Sequence, residues 1–135
     1  MISLLFAGIL GFILLFISRA TIKARRKYKI SIGYGDKKDP LANLVSAHAN
    51  FCAYTPFFLI LLFLLENTHH FANSFLIVIA SCFTVGRIIH FFALSKMELK
   101  SPPNFNYRVT GMVLTLTSIG ILSLSAILFN LYTLV

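Results

Sequence analysis

The sequence alternates between long apolar runs and shorter polar stretches. Residues 1–18, 40–65 and 109–135 contain no Asp, Glu, Lys or Arg, and residues 71–95 contain only Arg87. A helix needs roughly 20 apolar residues to cross the hydrocarbon core of a bilayer. Backbone groups in lipid must be hydrogen-bonded within their own segment, so each run is expected to be helical.

This pattern predicts a single all-α domain over residues 1–135, an integral membrane four-helix bundle. Its spans are expected at about 1–18, 43–65, 71–94 and 109–134. Pro56 removes one helical hydrogen bond from the second span and can kink it. The first span has no preceding basic region and no small-residue cleavage site, so we interpret it as a retained anchor rather than a signal peptide.

The composition excludes a soluble domain. Of the 135 residues, 58% are hydrophobic and 12% are charged, and the mean hydropathy is +0.85. A domain of this length has too much surface to bury so many apolar side chains. Cys52 and Cys82 both lie in apolar runs, which indicates neither a disulfide scaffold nor a metal site.

The charges indicate how the bundle is oriented. Twelve Lys and Arg stand against four Asp and Glu, a net charge of +8. Eight of the twelve fall in the first connection: Arg19, Lys23, Arg25, Arg26, Lys27, Lys29, Lys37 and Lys38. Anionic lipid headgroups are the nearest polyanion for such a cluster, so membrane lipids are expected partners and nucleic acid is not.

The other two connections complete the charge pattern. The turn from Glu66 to His70 has no Lys or Arg, whereas the third connection contains Lys96 and Lys100 and ends at Arg108. By the positive-inside rule, loops 19–42 and 95–108 face the cytoplasm, and both termini lie outside.

Polar residues inside the spans are the candidates for function, because they are costly in lipid. Ser46, Asn50 and Tyr54 share one face of the second helix at i, i+4 and i+8, and Arg87 and His90 share a face of the third. Arg108 opens the fourth helix at the same membrane side. We therefore expect a polar cavity in the cytoplasmic half of the bundle, lined by Asn50, Tyr54, Arg87, His90 and Arg108.

Each of these residues also has a plainer interpretation. Asn50 can simply hydrogen-bond between helices, Tyr54 can be interfacial, and Arg108 can anchor a helix end by snorkelling. His90 can be an interior histidine with its hydrogen bonds satisfied. Arg87 needs an acidic partner or an anionic ligand, and no Asp or Glu lies inside any span.

Three motifs resemble the MAPEG superfamily, the membrane-associated proteins in eicosanoid and glutathione metabolism. They are Asn50-Phe51-x-x-Tyr54-x-Pro56, Gly86-Arg87-x-x-His90, and Tyr107-Arg108 at the start of the fourth helix. The basic run from Arg25 to Gly33 is similar to the first loop of bacterial members. The resemblance implies a multi-pass protein of the bacterial inner (plasma) membrane.

The resemblance further implies a homotrimer that binds glutathione as co-substrate between subunits and joins its thiol to a lipophilic small-molecule electrophile, as a transferase or peroxidase. Asn50, Tyr54, Arg87 and His90 would bind glutathione. Arg108 would be the catalytic residue that activates the thiol, since a guanidinium stabilises a thiolate. No metal site is expected, because the adjacent His69 and His70 lack further ligands.

Three positions depart from the family pattern, which leaves other functions open. Relatives commonly have Arg at the position of Ser46, Glu at that of Ala53 and Tyr at that of Leu94. A non-catalytic protein of the same fold, binding lipid or another small ligand, is the alternative. A small multidrug exporter is disfavoured because its proton coupling generally uses an intramembrane acid.

Overall fold

A computed structural model describes residues 1–35, 40–99 and 104–134. These residues form four long helices and contain no strand: α1 (Ile2–Tyr28), α2 (Pro40–Asn67), α3 (Asn73–Phe92) and α4 (Asn106–Leu134). All four are long and apolar enough to cross a membrane, α3 together with the π-helical turn Ala93–Met97 that continues it. The prediction of an all-α, multi-pass membrane protein is confirmed.

The helices extend past the charge-free runs, most of all α1. The prediction that the first loop begins at residue 19 is wrong, because residues 19–28 continue the helix. Arg and Lys have high helix propensity, and cations near a helix C-terminus interact favourably with its dipole. Lys29 then ends α1 in the left-handed conformation, with φ 53°. Asp36, Lys37, Lys38, Asp39, Lys100, Pro102 and Pro103 lie outside the described residues.

Contacts at the two ends of the bundle show an up-down arrangement. At one end, the Glu66 carboxylate of α2 accepts hydrogen bonds from the backbone N–H groups of Ile2 and Ser3, which begin α1. Near the same end, His70 packs on Phe129 of α4, with ring centroids 4.8 Å apart. The second connection therefore lies with the start of α1 and the end of α4, as the sequence predicts.

The other end holds the first and third connections. There the Asn43 side chain of α2 donates from Nδ2 to the carbonyl of Leu94, 3.1 Å away in the π-helical turn. A π-helical turn shifts backbone hydrogen bonds from the α-helical register, so a neighbouring side chain can pair with a carbonyl there. Leu94 itself is buried, so this turn is part of the bundle and not of a loop.

The core lies along the bundle axis, and the outer surface is apolar. Phe58 of α2 and Phe83 of α3 belong to this core and stack with ring centroids 3.8 Å apart. Large apolar side chains such as Phe12, Phe16 and Val113 are exposed on the outside. An apolar exterior around a packed core is the arrangement that lipid as solvent requires.

Two glycines bring α3 and α4 into close contact. A Cβ added to Gly111 would lie 2.7 Å from the backbone nitrogen of His90 and 2.8 Å from the carbonyl oxygen of Gly86. A Cβ on Gly86 would lie 2.9 Å from Cβ of Leu114. Only glycine allows the two backbones to approach this closely. This contact places Arg87 and His90 directly against α4.

Candidate functional site

Arg87 is the centre of a polar cluster formed by α2, α3 and α4. Its side chain is only 1% exposed. Nη1 donates to the hydroxyl of Thr115 on α4 at 3.1 Å, and Nη2 donates to Oδ1 of Asn50 on α2 at 2.5 Å. The guanidinium therefore links three helices, while its Nε has no hydrogen-bond partner within the described residues.

Two aromatic rings of α2 cover the guanidinium. Its carbon Cζ lies 5.9 Å from the ring centroid of Phe51 and 5.8 Å from that of Tyr54. At these distances a cation is attracted by the negative face of an aromatic ring. Tyr54 is half-buried, so its ring reaches the cluster from the edge of α2.

His90 lies one turn after Arg87 on the same face of α3 and is 2% exposed. Its Nδ1 is 3.5 Å from Nη2 of Arg87. A guanidinium can only donate hydrogen bonds, so Nδ1 is the acceptor in this contact and the ring proton belongs on Nε2. His90 is thus oriented by Arg87.

Thr115 belongs to the cluster although sequence reasoning missed it. Its hydroxyl donates to the carbonyl of Gly111 on its own helix at 2.8 Å and accepts from Arg87. A threonine in an apolar helix usually bonds its own backbone in this way, so the sequence carries no signal that it also binds a cation. The available hint is spacing, because Gly111, Thr115 and Ser118 fall on one buried face of α4.

Arg87 is balanced by neutral groups rather than by an acid. The ion pairs among the described residues join Glu66 to the N-terminal amine and Glu98 to Arg108. Neutral oxygens and aromatic rings surround the guanidinium, and in a single chain they leave almost none of its surface exposed. Within one chain, Arg87 is therefore placed to position other side chains rather than to contact a ligand itself.

Among the described residues, Arg108 pairs with Glu98 and makes no hydrogen bond to this cluster. It occupies the first turn of α4 with 50% of its side chain exposed, and its Nη1 is 3.6 Å from Oε2 of Glu98. The Glu98 side chain is only 8% exposed, and its other oxygen, Oε1, has no hydrogen-bond partner in the described part of the chain. Of the five residues expected to converge, Asn50, Tyr54, Arg87 and His90 do so, and Arg108 pairs with Glu98.

The positions that depart from the family pattern lie at two different places. Ser46 and Ala53 are exposed on the outer face of α2, together with Ala49, and the half-buried Asn50 borders that face. Leu94 is buried in the π-helical turn. The two missing ionic groups therefore leave a small, uncharged surface beside Asn50 and do not alter the Arg87 cluster itself.

The cysteines and the adjacent histidines, the remaining candidates from the sequence, lie at exposed positions. Cys52 and Cys82 are free and exposed. No group of three or more His, Cys, Asp or Glu that could hold a metal ion occurs in residues 1–35, 40–99 and 104–134. His69 and His70 lie in the exposed turn after α2.

Comparison with known proteins gives one informative result. The sequence model of the family described as "MAPEG family" matches residues 3–128, which is nearly the whole chain and includes every residue of the cluster. No curated protein matches the sequence.

Proposed function

The chain belongs to the MAPEG family, the membrane-associated proteins in eicosanoid and glutathione metabolism, and we propose that it is a glutathione transferase or peroxidase acting on lipophilic electrophiles. The observation that carries the proposal is the cluster of Asn50, Tyr54, Arg87 and His90. The family motifs imply these four residues as the glutathione site, and they lie together across α2 and α3.

Asn50 and Tyr54 are the binding residues in this proposal. Arg87 donates to Oδ1 of Asn50, which leaves the Nδ2 amide group of this half-buried side chain available as a hydrogen-bond donor. Among the described residues, neither this Nδ2 nor the Tyr54 hydroxyl makes a hydrogen bond to protein. Both can then bind the peptide and carboxylate oxygens of glutathione, while Arg87 and His90 are positioning residues.

Arg108 is the proposed catalytic residue. Its side chain is half exposed in the first turn of α4, where it can stabilise the thiolate of glutathione by a charge-assisted hydrogen bond. An ion pair at 3.6 Å is loose, so glutathione can replace Glu98 as the partner of Arg108. The thiol proton passes to solvent, sulfur attacks the electrophilic carbon, and the leaving group departs with the bonding electrons.

We also propose a homotrimer, with glutathione bound between chains. The outer face of α2 carries the small residues Ser46, Ala49 and Ala53, all exposed in the single chain. Small residues let membrane helices approach closely. A neighbouring chain on this face would complete the site beside Asn50. The bacterial inner membrane is the proposed location, because the basic run from Arg25 to Gly33 resembles that of bacterial members. The Arg108 end would face the cytoplasm, because the basic residues of α1 lie at that end.

The test is turnover of glutathione with a chlorinated dinitroarene in detergent. Arg108→Ala is expected to lower the turnover number by about 100-fold, because a donor that stabilises a developing anion contributes that much to rate. Arg26→Ala is the matched control, since Arg26 is an exposed cation at the same end of the bundle. Turnover that is unchanged in Arg108→Ala contradicts the catalytic role.

The second candidate is a non-catalytic member of the family that binds lipid or another small ligand. Two observations favour it: Ser46 and Ala53 lack the ionic groups of relatives, and Arg87 is already covered within the chain. This candidate predicts that glutathione at millimolar concentration does not stabilise the folded protein, because a ligand that does not bind cannot shift unfolding.

A further inference from the structure

A second polar group lies on the opposite side of α2, where it packs on α1. The hydroxyl of Ser18 on α1 is 3.0 Å from Nε2 of His48. Nδ1 of the same imidazole is 3.9 Å from Sγ of Cys52, one turn further along α2. When the imidazole proton is on Nε2, that nitrogen donates to Ser18 and Nδ1 presents a lone pair to the thiol. Cys52 is then a nucleophile, His48 is its base, and Ser18 orients the imidazole.

Cys52 also borders an apolar groove between α1 and α2. The groove has a volume of about 250 Å³ and is lined by Leu10, Gly11 and Leu14 of α1 and by Thr55, Pro56 and Leu59 of α2, among others. Gly11 has no atom within 4 Å of the position a Cβ would take, so the groove is open on that side. Its volume lies below the range of drug-sized pockets, which suits a single unbranched alkyl chain.

Thr55 places an unpaired hydroxyl in this groove. Its side chain is 6% exposed, and Oγ1 has no hydrogen-bond partner in the described parts of the chain. Other buried threonines, such as Thr21 and Thr84, donate to the carbonyl four residues earlier on their own helix. A buried unpaired hydroxyl costs free energy until an acceptor reaches it. Thr55 follows Cys52 by three residues, so both lie on one face of α2.

We propose that this groove binds lipophilic α,β-unsaturated carbonyl compounds and that the Cys52 thiol adds to them covalently. Three observations support this ligand class: an apolar groove for the alkyl chain, an unpaired donor for the carbonyl oxygen, and a thiol beside it. The proposal goes beyond glutathione conjugation, because the nucleophile belongs to the protein and the adduct stays on α2.

The addition is balanced without a further reactant. The thiol proton moves to Nδ1 of His48 as sulfur bonds to the β-carbon. The electrons of the carbon–carbon double bond shift to give an enolate, whose oxygen accepts a hydrogen bond from Thr55. The imidazolium then returns the proton to the α-carbon. The product is a thioether that retains the ketone, and nothing is oxidised or reduced.

The test is the rate of alkylation of the purified full chain in detergent, followed by peptide mass spectrometry without added glutathione. The probes are a linear nine-carbon enone and its five-carbon homologue. Cys82 is the internal control, because it is also exposed but lies on α3. The nine-carbon probe is expected to label Cys52 about tenfold faster than Cys82, a preference that shrinks with the shorter probe because less apolar chain is buried. Cys52→Ser is expected to abolish that label.

Two variants test the hydrogen-bond donor and the base separately. Thr55→Val keeps the shape and removes the donor, and it is expected to slow labelling of Cys52 by about tenfold. His48→Gln is expected to slow it by about 100-fold, the lower end of a general-base contribution. Labelling of Cys82 reports on folding and probe access in each variant. Equal rates at Cys52 and Cys82 in the unmodified chain, or an unchanged Cys52 rate in either variant, contradict the proposal.

Discussion

Arg87 is a cation within a membrane-spanning helix, and its stabilisation comes from neutral partners. Hydrogen bonds to a charged donor are stronger than those between neutral groups, and a low dielectric strengthens them further. Thr115 and Asn50 supply two such bonds, and Phe51 and Tyr54 cover the remaining faces. The charge is therefore distributed over contacts from three helices.

Removing one of these acceptors is expected to destabilise the protein. In Thr115→Val, Nη1 of Arg87 loses its partner at nearly constant shape, so the free energy of unfolding should fall by about 1–3 kcal/mol. Thermal unfolding in detergent measures this. Thr110→Val is the control, because among the described residues the exposed Thr110 hydroxyl bonds only to the carbonyl of Asn106 on its own helix. If both variants unfold alike, the Arg87–Thr115 bond does not contribute.

A residue of the cluster could be predicted from the sequence when its side chain has a high free-energy cost of burial in lipid. Arg87, His90 and Asn50 stand out in apolar runs, and the sequence alone identifies them. Thr115 of this cluster, and Ser18 of the separate pair with His48, could not be identified, because a hydroxyl can bond its own helix backbone and is cheap to bury. The pairing of Arg108 with Glu98 was missed as well, since it depends on the path of the chain through the third connection.

At the scale of helices, the close approach of α3 and α4 fixes the geometry of the cluster. Gly86 and Gly111 lie at this contact, one residue before Arg87 and one turn before Thr115. The sequence shows both glycines but not that they face one another, because helix rotation is set by packing. The sequence also does not show where α1 ends. The basic residues that follow its apolar stretch continue the same helix.

Gly111→Ala is expected to separate the two helices. The new Cβ would lie 2.7 Å from a backbone nitrogen of α3, which cannot rotate away as a side chain can. Overpacking of this kind costs about 1–3 kcal/mol, measured as loss of stability on unfolding in detergent. Gly120→Ala is the control: Gly120 has no atom within 4 Å of a Cβ, and alanine favours a helix by about 1 kcal/mol. Equal destabilisation of both variants contradicts the proposed role of the contact.

At the scale of the whole molecule, the two ends of the bundle differ in charge, and the order of the helices places the basic residues at one of them. One end carries the second connection and the Glu66 contact with α1, and the other carries the basic extension of α1 together with Arg108. The alternation of ends follows from four spans in sequence, which the apolar pattern predicts. The assignment of the basic end to the cytoplasm is a prediction from charge alone.

Single cysteines introduced into a chain lacking Cys52 and Cys82 test this orientation. Ser31→Cys marks the basic end, and Ala72→Cys marks the other; both positions are exposed. In intact cells, a membrane-impermeant maleimide is expected to label the cysteine at 72 and not the one at 31. Opening the cells should make both reactive. The reverse pattern in intact cells contradicts the predicted orientation.

The central claim is that the Asn50, Tyr54, Arg87 and His90 cluster belongs to a glutathione site, and direct binding of glutathione to the purified protein tests it most directly. Thermal unfolding in detergent should shift upward and saturate with glutathione concentration, since a ligand present at about 100 times its Kd stabilises by about 2.7 kcal/mol. Asn50→Leu should raise the glutathione concentration that gives half of the maximal shift by at least tenfold. An unfolding temperature that stays constant up to millimolar glutathione, in protein that is folded throughout, contradicts the claim.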